Sequence, residues 1–260
     1  GHNIIELENS HGFSMATTPK HTCIIQNYNS RDKKWQKIIR RETDKLRNSN
    51  FILRSPLGHT IERKKFHDDC FVELLAWILA EGWYSKNNKR EKNKNFVRLA
   101  QSIKHNPQYV EEINNIFNRM NYSCNKNIYG NIVTWVLRKD LSSKIQEIIP
   151  KKLITLDLIR KLTIPQMRLF INTFVKGDGY IAEEGGAIIT QKNENNIDML
   201  QYMCVLCGIT ANKYFDKSRK IFHLYLCINT KRTHCKKLSK KEYEVDTVWC
   251  PETTSGTWIA

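Results

Sequence analysis

At 260 residues with 40% apolar side chains, the chain has the composition of a globular protein of one large or two small domains, not of a disordered or fibrous one. Lys and Arg outnumber Asp and Glu by 42 to 26, a formal net charge of +16, which points to a polyanionic partner, nucleic acid ahead of an anionic membrane surface. No apolar run approaches the roughly 18 residues that span a bilayer and no signal-peptide pattern opens the chain, so the expectation is an intracellular protein, cytoplasmic or nucleoid-associated or nuclear, with no membrane partner.

The first 60 or so residues carry short alternating runs, NIIELENS and HTCIIQNY, that predict strands. Then comes FVELLAWILAEGWYS, residues 71 to 85, an apolar helix-like run that ends in Ala80, Glu81, Gly82 and Trp83. A polar basic stretch, KNNKREKNKN, reads as an enlarged hairpin tip before the strand FVRLAQSIK, which carries Gln101. A helix is predicted over NPQYVEEINNIFNRM, opened by Asn106 before Pro107, then strands around Trp135 and a short helix.

The same order returns in RLFINTFVKGDGYIA, residues 168 to 182, which ends in Gly177, Asp178, Gly179 and Tyr180. The strand GAIITQKNE follows with Gln191, then a helix over NNIDMLQYMCVLCGI and strands around FHLYLCINT. Glu81 and Asp178 lie 97 residues apart, about one copy length. Aligning the two glutamines without a net gap sets Trp135 over Tyr225. Each copy thus reads helix, two strands, helix, two strands, short helix. The ending YEVDTVWCPETTSGTWIA is again strand-like.

Eight cysteines are scattered through the chain, several inside apolar runs, which suggests reduced, buried thiols. Cys204 and Cys207 form a CxxC, but its apolar helical setting favours a core face over a zinc site, which usually shows two tight ligand pairs.

LLAWILAEG (Leu74 to Gly82) and INTFVKGDG (Ile171 to Gly179) resemble the two motifs of single-chain LAGLIDADG homing endonucleases, and the resemblance covers roughly residues 66 to 240. It implies an α+β fold in which two pseudo-symmetric αββαββα repeats form a DNA-binding saddle. Two helices that cross closely need small residues on the shared face; Ala76, Ala80 and Gly82, with Thr173, Gly177 and Gly179, supply them. Trp77, Leu79 and Lys176 are bulkier than the motif's usual residues and are expected to point outward into each half.

The function the resemblance implies is a double-strand cut in a long target, of about 20 base pairs as in that family, made by a monomer with Mg²⁺ or Mn²⁺ as cofactor. Glu81 and Asp178 correspond to the metal-binding acids, and Gln101 and Gln191 to residues that organise catalytic water. Lys152 is the first candidate for a catalytic lysine, with Lys237 its weaker counterpart in the second copy. Contacts to double-stranded DNA are expected from Lys86, Lys89, Arg90, Lys92, Lys94 and Arg98 on the first hairpin, and from Lys192, Lys213, Lys217, Arg219 and Lys220 in the second half. Alternatives are a catalytically silent nucleic-acid-binding relative, of maturase or regulator type, and a remnant protein-splicing module.

The last alternative comes from the flanks. Thr18-Pro19-Lys20-His21 resembles the TxxH block of inteins, and the segment around Cys250 resembles the block near an intein's C-terminus. The resulting division is 1–62 and 243–260 as the two parts of a Hint-like β element, 63–160 as the first repeat and 161–242 as the second. Neither end carries the terminal splicing residues of an intein, so Thr18, His21 and Cys250 are read as vestigial. The two flanks are expected to pair into a single sheet, with a basic surface from Lys33, Lys34, Lys37, Arg40 and Arg41.

Overall fold

The computed structural model describes residues 1–10, 13–54, 63–85, 96–181, 186–227 and 232–248. The N-terminal stretch gives six strands: β1 (His2–Glu8), β2 (Ser14–Thr17), β3 (Thr22–Asn29), β4 (Lys34–Trp35), β5 (Ile39–Glu42) and β6 (Asn50–Leu53). There follow α1 (Asp69–Glu81), β7 (Gly82–Tyr84), β8 (Val97–Ser102), α2 (Pro107–Arg119), β9 (Asn125–Tyr129), β10 (Ile132–Val136) and α3 (Lys139–Ile148). A short α4 (Leu156–Lys161) leads into α5 (Ile164–Asp178), β11 (Gly179–Ile181), β12 (Ala187–Gln191), α6 (Glu194–Leu206), β13 (Thr210–Asp216) and β14 (Ile221–Cys227). The chain then adds β15 (Arg232–His234) and β16 (Ser239–Val245). Among the described residues no helix is long and apolar enough to cross a membrane.

The protein is a mixed α and β structure with antiparallel sheets. Two four-stranded sheets have the same connectivity, β7-β8-β10-β9 and β11-β12-β14-β13. On β8 the side chains of Val97, Leu99 and Gln101 are buried while those between are half-buried, so alternate residues face the helices and the open side. The helices of both segments pack into one continuous core from Phe71 to Leu226. Helix α5 begins where its sequence says it should: Thr163 and Gln166 form a reciprocal capping box, with Pro165 in the first turn.

Three expectations are corrected. The short helix that should close the second copy is a 3-10 turn, Cys235–Lys237, between strands that pair with the N-terminal segment; Cys235 and Leu238 are drawn into that segment's core. The gap-free alignment slips by one residue. Gln101 faces Val133 and Gln191 faces Phe222, so Trp135 corresponds to Leu224, not Tyr225. Trp135 and Leu224 are both buried against the helices while Tyr225 is exposed, and a one-residue slip exchanges the faces of a strand.

The flanks pair, but into two sheets. β1 lies between β16 and β2, in register from His2 with Val245 to Glu8 with Ser239. A second sheet runs β15-β6-β3-β4, with β5 also on β3. Both are lined by a small core of Ile5, Leu7, Cys23, Ile25 and Ile52. Two sheets form because β3 and β6 turn their paired edges to β5 and β15, leaving β1 to β2 and β16.

Candidate active site and nucleic-acid surface

Helices α1 and α5 cross at a point set by Gly177. A Cβ there would stand 2.5 Å from the Cβ of Ala80 and 3.3 Å from Cγ of Glu81, so the backbones approach as closely as glycine allows. Ala76 and Thr173, one turn earlier on each helix, are fully buried. Gly82 and Gly179 serve differently from the expected seam role. A Cβ on either would strike the carbonyl of its own helix, at Ile78 or Val175, so these glycines permit the sharp turn from helix to strand. Trp77 does not simply point outward either: its ring edge comes within 3.6 Å of where a Gly177 Cβ would lie, while the ring packs against Tyr109. Leu79 is buried in the core, and Lys176 reaches across to Glu112 of α2 at 2.6 Å.

This crossing brings the last residues of both helices together, and both are acids. Their position is costly on three counts. A carboxylate at a helix C-terminus opposes the macrodipole, each is half-buried, and the charge of Glu81 bears on Asp178. Asp178 is pushed up to about 6, first by burial and then by the charge of Glu81, against the opposing pull of Lys152 and of a hydrogen bond from Gln191. Burial likewise raises Glu81, against the Gln101 amide and the Lys152 charge. Burial lowers Lys152, and Asp178 and Glu81 pull it back up. The five residues singled out in the sequence are thus one electrostatic group.

The lysine is held by unusual backbone. Lys151 and Lys152 both lie in the left-handed region, at φ 54° and 59°, which costs a non-glycine residue free energy unless its surroundings enforce it. They do so here. Lys152 Nζ donates to the Gly82 carbonyl at 2.5 Å, Asn196 of α6 donates to the Lys152 carbonyl at 3.0 Å, and Tyr84 donates to Ile149 at 2.6 Å. Lys237 belongs to the flanking element instead, and neither acid senses it.

The glutamines differ. Gln191 Nε2 donates to Asp178 Oδ2. Gln101 is fixed from its other end, its Oε1 accepting from the Ser102 amide at 2.8 Å and from Asn106 Nδ2 at 3.0 Å. Its buried Nε2 lies beside Glu81 with no partner in hydrogen-bonding geometry among the described residues. Asn106, expected to open α2, makes no cap with its side chain; its Nδ2 donates to Gln101 instead.

The expected DNA contacts separate by strand parity. Arg98 sits on the open side of its sheet, half-buried between Trp83 and Val136, with its Nε unpartnered among the described residues. Lys192, Lys217, Arg219 and Lys220 are exposed, the last three on the turn between β13 and β14. Lys213 is a correction. It faces the helix side, where Glu194 and Asp198 neutralise it at 2.8 and 2.6 Å. Lys86, Lys89, Arg90, Lys92 and Lys94 lie outside the described residues, as does Cys250. Thr18 and His21 form a turn, His21 N donating to Thr18 O at 3.0 Å, and burial lowers the His21 imidazole. Cys204 and Cys207 are buried thiols of the helical core, the latter pushed up to about 11 by burial.

No family model matches the chain, and no curated protein matches it. Among solved structures, mesophilic variants of the homing endonuclease I-DmoI align over 62% of this chain and 89% of theirs, at 14% identity and a TM-score of 0.46. I-DmoI in complex with DNA and Mn aligns over 61% and 89%, at 14% and 0.47. The N-terminal LAGLIDADG domain of DUF199/WhiA aligns over 62% and 78%, at 12% and 0.40. These likenesses are too distant to carry function, which is argued from the site itself.

Proposed function

We propose that the chain is a metal-dependent, site-specific DNA endonuclease of the LAGLIDADG homing type. The observation that carries this reading is the pair of half-buried carboxylates at the crossed ends of α1 and α5, sharing one lysine and each set beside a glutamine. Nothing in the core requires two mutually repelling acids at helix C-termini; a divalent cation relieves all three costs at once.

The donor set fits such a cation. Among the described residues no group of three or more His, Cys, Asp and Glu is arranged around an ion. Two carboxylates alone suit Mg²⁺ or Mn²⁺ bound partly by water and substrate phosphate. Glu81 and Asp178 would hold the ion, which when bound supplies charge stabilisation at the scissile phosphates. Around it, Lys152 places an ammonium near both acids, Gln191 fixes the Asp178 carboxylate, and Gln101 beside Glu81 orients water. The open faces of the two four-stranded sheets would then form the saddle for duplex DNA, with Arg98, Lys192, Lys217, Arg219 and Lys220 toward phosphates. Fused repeats supply both half-site readers, so the active species is a monomer. The pairing of β1 with β16 supports the companion reading of the flanks as parts of one intein-like element.

A duplex library incubated with the protein and Mg²⁺, followed by sequencing of new ends, tests the activity. Cut ends with a single long consensus are expected. Glu81→Gln and Asp178→Asn should each lower cutting on the order of 10³-fold while duplex binding persists, since a group stabilising developing charge acts in the transition state. Cutting that survives both substitutions would refute the site.

A further inference from the structure

The sheet of the second repeat has one face free of helices, and part of it is covered. On that face lie Asn212, Tyr214, Tyr225 and Cys227, paired across β13 and β14. Asn212 is nevertheless buried, because Arg54, just past the end of β6, donates to its Oδ1. Where the flanking sheets meet this face they leave a cleft of about 710 Å³.

Its chemistry is one-sided. Arg54, Arg232 and Lys237 line it, and among the described residues no Asp or Glu does. The two guanidinium groups are held by neutral groups rather than carboxylates. Arg54 bonds Asn212 and lies 5.2 Å from the Phe13 ring centroid. Arg232 donates twice to Gln26 Oε1, at 2.8 and 2.6 Å, and stacks 4.0 Å over Trp35. Elsewhere, cations near acids are spent on them, as Lys213 is. Here charge is positioned and left unneutralised among the described residues, the preorganisation that suits an anionic ligand. Exposed Tyr214 and Tyr225 add surface at the mouth, and Lys237 stands exposed beside them.

We infer that this cleft receives the sugar-phosphate backbone of duplex DNA continuing past the second sheet, so that the flanking element is a second DNA-contacting jaw. The inference rests on the endonuclease reading, since the cleft shares Tyr214 and Tyr225 with the face on which DNA is proposed to lie. It makes the footprint unequal: of the two four-stranded sheets, only the second contributes described residues to the cleft, from β13 and β14, so duplex on the second side of the cut is gripped over a longer stretch.

The test is a salt titration of binding to a random-sequence duplex in EDTA, where cutting plays no part. The cleft variant Lys237→Ala with Arg54→Gln should lower the slope of log Kd against log salt by about 1.8, two phosphate contacts at roughly 0.9 each. The single Lys237→Ala, at an exposed position that carries no packing, should lower it by about 0.9. Lys161→Ala with Lys240→Ala removes the same charge elsewhere and should leave the slope unchanged. Equal slopes for cleft and control variants would overturn the inference while wild-type binding leaves the endonuclease reading standing. Wild type that binds no duplex at all would overturn both. Loss of binding to polyglutamate, but not to duplex, in the cleft variants would make the ligand an acidic protein and overturn the assignment to DNA.

Discussion

The two acids of the site come from the same sequence pattern yet live in different surroundings. Asp178 is tied to Gln191, feels Glu81 strongly, and is pushed to about 6. Glu81 is raised less markedly, beside a glutamine whose amide is anchored from behind by Asn106 and whose Nε2 is left open. At the crossing, Gly177 stands opposite Ala80, so one copy gives up its side chain and the other keeps a methyl. A duplicated motif here does not give two equal half-sites. One lysine, from the turn between the copies, makes up a group that neither copy completes alone.

The largest effect tests that sharing. Lys152→Met should slow cutting about 100-fold, the scale of a lost acid-base or electrostatic partner, and should slow both strands alike. Nicked intermediates accumulating on one strand would show that the lysine belongs to one acid. Next comes the seam. Gly177→Ala forces a methyl into the space held by Ala80 and should destabilise the fold by about 1 to 3 kcal/mol in chemical denaturation. Ala80→Gly in the same background should recover part of that loss. If it recovers none, the strain lies elsewhere than in the crossing.

The smallest effect concerns the charges. Asp178 has its folded pKa raised from 3.8 to about 6, so between those values the native state binds more protons than the unfolded state. Stability from this group is therefore present below about pH 4 and is lost as pH rises through 6. Metal-free Asp178→Asn should gain about 1 kcal/mol over wild type at pH 8, after discounting for solvent screening, and the gain should shrink toward pH 4. A thermal melt in EDTA at both pH values reads it; no difference at pH 8 would mean that the acids do not strain the fold.

Much of the site was legible in the sequence because its parts are periodic. A helical run ending in acid and glycine, repeated after 97 residues, places two carboxylates at equivalent helix ends, and the glutamines follow on strands that reach them. What was illegible depends on strand parity and on side-chain competition. Lys213 reads as one more basic residue, and only its register with Leu224 turns it toward Glu194 and Asp198. Asn106 has the residue type and position of a helix cap, but its side chain makes no cap and its Nδ2 is turned to Gln101. Strand β15 has three residues, too few for a period of two to show, so its departure to the flanking sheet left no trace in the pattern.

The turn that carries Lys152 has a bearing on how such a molecule can be recombined. Its ammonium is held by Gly82 of the first segment and its carbonyl by Asn196 of the second. A hybrid that joins one half of this chain to the other half of a relative inherits the lysine with either junction, but not both of its anchors. Asn196 Oδ1 also accepts from Ile154 N at 2.9 Å while its Nδ2 donates to the Lys152 carbonyl, so replacing the second half removes both of these tethers of the turn in one step. Mix-and-match engineering of half-site specificity would therefore carry Asn196 along with residues 149 to 154 as a single cassette.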